Sequence, residues 1–429
     1  MATFIVLAIF CVLLLLGIPL GIAMLAACFG FLIFVSHVPL LVIPTYFVSG
    51  INSFELLAVP FFILTAEIMN EGGITRRIVG ASLAMVGWLP GALAQVLIVA
   101  SLIFAGISGS ALADLAGLGR VGIKSMAEAG YSLKFSTSLV LASSVLGGLS
   151  QTSIVMIIYA ITAGQSLGKM LLAGLLPGLL VAFCLMVFVY FSYRFKWQEF
   201  PAFKLPPLEQ RIKDLVYAVP ALISPLLILS GIAFGIVTPT EAGVAACIYS
   251  LLLATFVYRE LTWKGVWNAI NHTILSTASI MLLIGASSVL SWIITRDSVA
   301  AEAADWFAAM HYPMIFKLLI INAFLLLVGV FLEGVPALLI LTPILVPAMQ
   351  LMGVSPIQFG VILNFNLLLG VIHPPVGVGL FVASNMTGLR IGELARGVLP
   401  FFIPLGVALL LITYVPAISL ALPTWILGQ

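Results

Sequence analysis

Apolar runs of about 20 residues, each long enough to cross a bilayer, follow one another along nearly the whole chain. That pattern leaves few solutions, because backbone amides in hydrocarbon must be paired within helices or closed barrels. The runs read as helices, so the fold class is an all-α polytopic membrane protein. Composition agrees: of 429 residues, 63% are hydrophobic and 7% charged, whereas a soluble chain carries roughly a quarter charged. No stretch between the runs is long enough for a soluble domain.

A net charge of +2 is too small to suggest nucleic acid as a partner, and the lipid bilayer is the expected surroundings. Cys11, Cys28, Cys184 and Cys247 lie in apolar stretches without a CxxC pair and read as core packing. Phe4 to Leu16 imitates a signal peptide but lacks a basic flank and runs into a second apolar segment, so it reads as a retained span.

Charge punctuates the chain. Three apolar segments, about 4–20, 21–36 and 52–70, precede Arg76 and Arg77, and an amphipathic interfacial arm runs from His37 to Gly50. Arg120 with Lys124, the stretch Arg194 to Asp214, Arg259 with Lys264, and Arg390 with Arg396 follow. By the positive-inside rule these loops are cytoplasmic. Arg76/Arg77 and Arg120/Lys124 then share a side, with only about 30 residues, Pro90 to Gly119, between them, where two spans need about 40. A re-entrant hairpin turning at Gly106-Ile-Ser-Gly-Ser110 solves the geometry.

Sliding the chain by 223 residues aligns Gly106 with Gly329, Met126 with Met349, Gly130 with Gly353, Ser132 with Ser355 and Gly147 with Gly370. Three spans, about 217–235, 241–257 and 266–294, precede a second hairpin, about 316–350, as three precede the first. Counting from the loop 194–214 puts that hairpin on the opposite side. The fold is therefore expected to be an inverted repeat with two re-entrant helical hairpins, an arrangement common in secondary transporters. The expected parts are first-repeat scaffold helices at 1–80 and a first transport part with its hairpin at 81–168. A connecting span and cytoplasmic loop take 169–215. Second scaffold helices follow at 216–300, a second transport part at 301–390 and a C-terminal span at 391–429.

Four places put helix-breaking or polar groups at membrane depth: Gly106 to Ser110, Gly147 to Ser153, Glu333-Gly-Val-Pro336, and Gly370 to Gly377. Breaks free backbone carbonyls. Freed carbonyls and helix C-termini suit a hard cation such as sodium, whereas helix N-termini and serine hydroxyls suit an anion. Small residues also serve simple helix packing; four such motifs in register favour sites over packing.

Asp114 and Glu333 are intramembrane carboxylates, functional candidates by default. Asp114 could equally cap a helix or pair with Arg120. Glu67 is placed to satisfy a neighbouring helix, and Glu241 to cap the helix after Thr238-Pro-Thr. His37, His272 and His311 fall at segment ends, whereas His373 lies inside the second break. Ala163-Gly-Gln-Ser-Leu-Gly-Lys169 lacks the first glycine and the hydroxyl residue of a phosphate loop. An ion gradient is then the simple source of energy, and no organic cofactor is expected. A channel would show a continuous polar path, and an intramembrane enzyme would need a nucleophile beside a base; mid-depth polar clusters favour a carrier over both.

At Leu57-Ala-Val-Pro-Phe-Phe62, Glu67-Ile-Met-Asn-Glu-Gly-Gly73, Phe104 to Asp114, Gly235-Ile-Val-Thr-Pro-Thr-Glu241 and Pro374-Pro-Val-Gly377 the chain resembles the large membrane subunit of TRAP transporters, the DctM-like family. The resemblance covers essentially the whole chain. It implies an elevator-type mechanism, sodium ions as coupling ion, a small four-helix membrane subunit, a periplasmic substrate-binding protein, a small organic acid as substrate and a place in the bacterial inner membrane. A sodium-coupled carrier working without a binding protein is the alternative. By resemblance Ser108, Gly147, Ser150 and Thr152 fall at a first sodium site, and Gly370, His373 and Pro375 at a second. Substrate would meet Ser108, Gly109, Ser110 and Gly334 at the hairpin tips, with Gln151 and His373. The chain departs from the family at Gly147-Gly-Leu-Ser150-Gln151-Thr152-Ser153, where Gly-Pro-Ile-Ile-Pro-Pro-Ser is usual, and at His373, where threonine is usual; Gln151 and His373 could mark an unusual substrate preference.

Overall fold

The computed structural model describes residues 2–35, 38–197, 200–201, 205–299, 301–302, 305, 309, 311–374 and 377–428. His37 and Pro375 therefore lie outside the described residues, and with them the start of the interfacial arm and one of the expected sodium ligands.

Every described element is helical. In chain order these are α1 Ala2–Leu15, α2 Leu20–Phe34, α3 Val42–Ile51, α4 Ala58–Glu71, α5 Ile74–Val86, α6 Ala92–Ser108, α7 Ala111–Ala116 and α8 Leu118–Glu128. Then come α9 Leu133–Ser144, α10 Ile154–Thr162, α11 Leu167–Ala173, α12 Leu175–Arg194, α13 Leu208–Ala233, α14 Pro239–Leu252 and α15 Trp263–Arg296. The remainder are α16 Met314–Phe331, α17 Gly334–Leu351, α18 Pro356–Ile372, α19 Val378–Thr387, α20 Ile391–Val398, α21 Phe402–Tyr414 and α22 Pro416–Leu427. Among the described residues seven helices are long and apolar enough to cross a membrane, or up to nine if each bent pair is one span. The protein is a multi-pass membrane protein.

Prolines punctuate the starts: Pro19, Pro207 and Pro313 precede a first helical residue and Pro239, Pro356 and Pro416 occupy one, where a missing N–H costs nothing. Thr238 caps α14, and Glu241 returns its carboxylate to the Thr238 N–H at 2.7 Å, a capping box. Glu241 is thus the reciprocal partner and Thr238 the cap itself.

Several boundaries differ from the sequence reading. Helix α13 begins at Leu208, so Glu209 to Asp214 are helical and the connection after α12 shortens to 195–207. Pro207 stands immediately before the helix, and Glu209 in the first turn complements the helix dipole. The arm at 42–51 and the span at 54–71 form one apolar unit bent by 57°.

Burial orders the bundle. In α13 only Ala218, Ala221, Ser224, Ile228 and Ile232 are buried, a single stripe at helical spacing, so its other faces remain open to lipid. Helix α18 is buried all round, fourteen of its seventeen residues, and forms the centre. Helices α16 and α17 both pack more closely on α18 than on each other. Each is 18 residues, or about 27 Å, close to the hydrocarbon thickness. In the first pair, α6 is answered by a return broken at Gly117 into α7 and α8.

Candidate functional site

The apolar run of α6 ends at Gly109, which adopts φ +62. No larger residue fits there: a Cβ would stand 2.0 Å from the Thr152 carbonyl oxygen. Chain reversal at this tip brings it against the interruption between α9 and α10, a pair bent by 40°. The two are bonded at several points. The Ile154 N–H donates to Gly109 O at 3.3 Å. The Thr152 hydroxyl donates to Ala105 O at 3.1 Å, and the Gln151 amide donates to Gly106 O at 3.4 Å. Ser150 Oγ donates to Gly147 O at 3.1 Å and lies 3.2 Å from Thr152 Oγ1.

Asp114 completes this knot. One carboxylate oxygen accepts from the Ser108 hydroxyl; the other, Oδ2, is buried without a partner and lies 2.6 Å from where a Gly147 Cβ would be. Asp114 therefore bonds Ser108 and makes no ion pair with Arg120. The donor set around it is hydroxyls, backbone carbonyls and one carboxylate, and no group of three or more His, Cys, Asp or Glu gathers among the described residues. Hard oxygens with one orphaned carboxylate oxygen suit a hard cation such as sodium. Ser108, Gly147, Ser150 and Thr152 are thus brought together, and Asp114 stands among them.

The second tip meets its break differently. Gly329 and Gly370 touch backbone to backbone, a Cβ on Gly370 standing 2.2 Å from the Gly329 oxygen. These are the residues 223 positions after Gly106 and Gly147, which lie at the first tip and its break. Beyond Gly370, the His373 N–H donates to Gly370 O at 3.1 Å, and Gly377 N–H donates to His373 O at 2.9 Å. The imidazole of His373 turns to the Pro374 oxygen, 2.5 Å from Nδ1, and to the Phe402 ring, 5.1 Å away.

A cavity of about 390 Å³ lies where the tips face helices α4 and α15. Of the residues expected to meet substrate, Ser108, Gly109, Ser110 and Gly334 line it, and Gln151 and His373 do not. Its opposite wall comprises Ile63, Ala66 and Glu67 of α4 with Ser276, Ser279 and Leu283 of α15. Four helices begin at its surface: α7 at Ala111, α10 at Ile154, α17 at Gly334 and α19 at Val378. Neither α17 nor α19 has a side-chain cap, so their first N–H groups keep bonding capacity. Each such terminus carries about half a positive charge. Glu67 and Glu333 bring carboxylates to the same walls. Polarity of Glu67 and Glu333 was visible in the sequence, but which cavity they border was not, since that depends on how α4 and the second tip pack.

The two tip–break units are joined in the core. Asn364 of α18 donates to Gly148 O at 2.6 Å, and the Tyr159 hydroxyl donates to Pro356 O at 2.6 Å. His311 is exposed just before α16, as read, whereas His272 is exposed but lies ten residues into α15, not at the end of its segment, because that helix begins already at Trp263.

Residues 7–418 match the model of the family described as tripartite ATP-independent periplasmic transporter, DctM component. The chain is 38% identical over 412 residues to the sialic acid TRAP transporter large permease protein SiaM of Vibrio cholerae, covering 96% of each. It is 36% identical over 373 residues to the C4-dicarboxylate TRAP transporter large permease protein DctM of Pseudomonas aeruginosa, covering 87% of each. In fold it resembles the crystal structure of the Alcanivorax borkumensis YdaH transporter, with a TM-score of 0.55 at 16% identity, over 89% of this chain and 87% of that one.

Proposed function

The chain belongs to the DctM component family of tripartite ATP-independent periplasmic transporters and is a permease subunit, not an enzyme; from that premise we propose that it carries a small organic acid anion across the bacterial inner membrane, driven by sodium. The observation that carries the substrate class is the convergence of four helix N-termini on one cavity, since such termini are anion-binding sites. Relatives named for sialic acid and C4-dicarboxylates make carboxylates the first candidates.

The cation side of the proposal rests on the first knot. Ser108, Asp114, Gly147, Ser150 and Thr152 would hold sodium there, and at the second break the backbone of Gly370 and His373 would contribute, with Pro375 the third member of that set by resemblance. Two carboxylates on the cavity walls, Glu67 and Glu333, oppose the partial positive charge of the helix termini. A bound cation therefore tips the local charge in favour of the anion, which supplies a physical reason for coupling. The two halves would act as inverted repeats, and the tips and breaks would move as a body against α4, α15 and their neighbours in an elevator-type cycle. A small four-helix membrane subunit and a periplasmic binding protein that delivers the acid complete the system.

The test is uptake of radiolabelled sialic acid and C4-dicarboxylates into proteoliposomes holding the chain with its small subunit, with binding protein added outside. Accumulation of unchanged solute that needs an inward sodium gradient supports the reading. Accumulation without added binding protein would support a self-sufficient carrier, and rapid equilibration without any gradient would reject coupled transport.

A further inference from the structure

A second cavity of about 390 Å³ lies away from the first, between α9, α12 and the segment from α20 to Phe401. Its size is that of a small-ligand pocket. Two cations line it, Lys134 and Arg396, with Ser132, Ser192 and Trp197. Among the described residues neither cation has an ion pair, the pairs found being Arg77–Glu260 and Lys124–Glu128. Lys134 runs beside Gly397, where a Cβ would stand 3.2 Å from its Cε, so its stem lies against the turn that carries Arg396. Two like charges at one opening repel, and an anion between them removes that repulsion.

The pocket floor is a cluster of rings. Phe188 and Phe401 lie 5.2 Å apart between centroids and Phe135 and Phe401 6.0 Å, and at the rim Trp197 lies 6.2 Å from Phe188. Outside, Tyr190, Tyr193, Phe195 and Trp197 are exposed at the end of α12, Trp197 at 60%, among Arg194 and Lys196. Exposed Tyr and Trp beside basic residues mark the level of the lipid headgroups on the cytoplasmic face. The opening therefore sits where phosphodiesters are dense, with a greasy floor for the first carbons of the chains.

We propose that this pocket binds the headgroup of an anionic phospholipid, its phosphate held between Lys134 and Arg396 and its glycerol and upper acyl carbons against Phe188 and Trp197. Basic pockets between membrane helices are known to take such headgroups. Ser132 Oγ accepts from the Phe135 N–H at 3.1 Å, which leaves its own hydrogen free to donate to the phosphate. The bound lipid bridges α9 and α20 to α12, bracing the connecting span. The inference needs only a membrane-spanning chain, so its failure leaves the transport reading untouched.

The test is native mass spectrometry of the purified, delipidated full-length chain offered equimolar phosphatidylglycerol and phosphatidylcholine. Expected is one tightly retained lipid with phosphatidylglycerol preferred at least about tenfold, and loss of that preference in Lys134→Gln/Arg396→Gln. Lys134→Arg keeps the charge and should keep the preference, which separates lost binding from lost folding; Lys124→Gln, a change on α8, should also keep it. Equal retention of both lipids by the unaltered chain, or an unchanged preference in the double variant, would overturn the proposal. Displacement of the lipid by millimolar inorganic phosphate would likewise overturn it, assigning the pocket to the free anion.

Discussion

Glu67 sits on the α4 wall of the central cavity, facing serines and helix N-termini, with no lysine or arginine lining that space. An incoming acid therefore meets a carboxylate as well as the dipoles that attract it. Removing this one charge is expected to matter most when sodium is scarce. Glu67→Gln should lower the apparent KM for the anion by about three- to tenfold at low sodium and change it little at saturating sodium. Uptake measured over a sodium series checks this. A KM that rises in the variant would mean that Glu67 helps to hold the cation, and would reverse its assigned role.

Between elements, buried amides join helices that the apolar pattern treats as equivalent. Asn366 of α18 donates to Asn322 Oδ1 of α16 at 2.7 Å, and Asn322 donates to Thr413 Oγ1 of α21 at 3.1 Å. In the first half Ser101 of α6 donates to Ser143 of α9 at 3.0 Å, and Ser143 precedes Asn366 by the same 223 positions that relate the two glycine pairs. Interhelical bonds of this kind are worth about 1 kcal/mol. Asn322→Leu and Asn366→Leu should each lower stability by about that amount, and together by less than the sum, because the second change removes a group already left without its partner. Thermal unfolding of the four proteins in detergent checks it; additive losses would mean that the two side chains act independently.

The same elements show what a sequence can and cannot reveal. Gly106 to Ser110 and Gly147 to Ser153 stood out because glycine, serine and threonine interrupt apolar runs at a depth where nothing else excuses them. The start of α13 is hidden in the sequence because Glu209 to Asp214 look like a polar loop, although a helix emerging from the membrane carries charge just as well. Ser276 and Ser279 of α15 do not stand out within one long apolar run, and only the packing of α15 across from the tips makes them cavity wall. Gln151 and His373 were legible as oddities, yet their side-chain directions were not: Gln151 is held by the Gly106 carbonyl, and His373 by Pro374 and Phe402.

For the molecule as a whole, the cavity lies between two sets of helices, with tips and breaks on one side and α4 with α15 on the other. If solute passes there, filling the space from the far wall should block passage without disturbing the knots. Ser279→Trp places an indole in the cavity from an exposed position on α15 and is expected to cut uptake at least about tenfold with an unchanged melting temperature. Full uptake by this variant would move the route elsewhere.

Gly329 and Gly370 meet with no side chain between them, and that junction has a mechanical consequence. A shift of one relative to the other by a methyl's width would drag α16 and α18 along whole. The contact is a weld, with no slack to act as a hinge. Compliance must then be sought at the rim, in turns such as those at Gly17 and Gly235, where the backbone has open space around it, so that any large excursion of the interior bends the periphery and spares the centre.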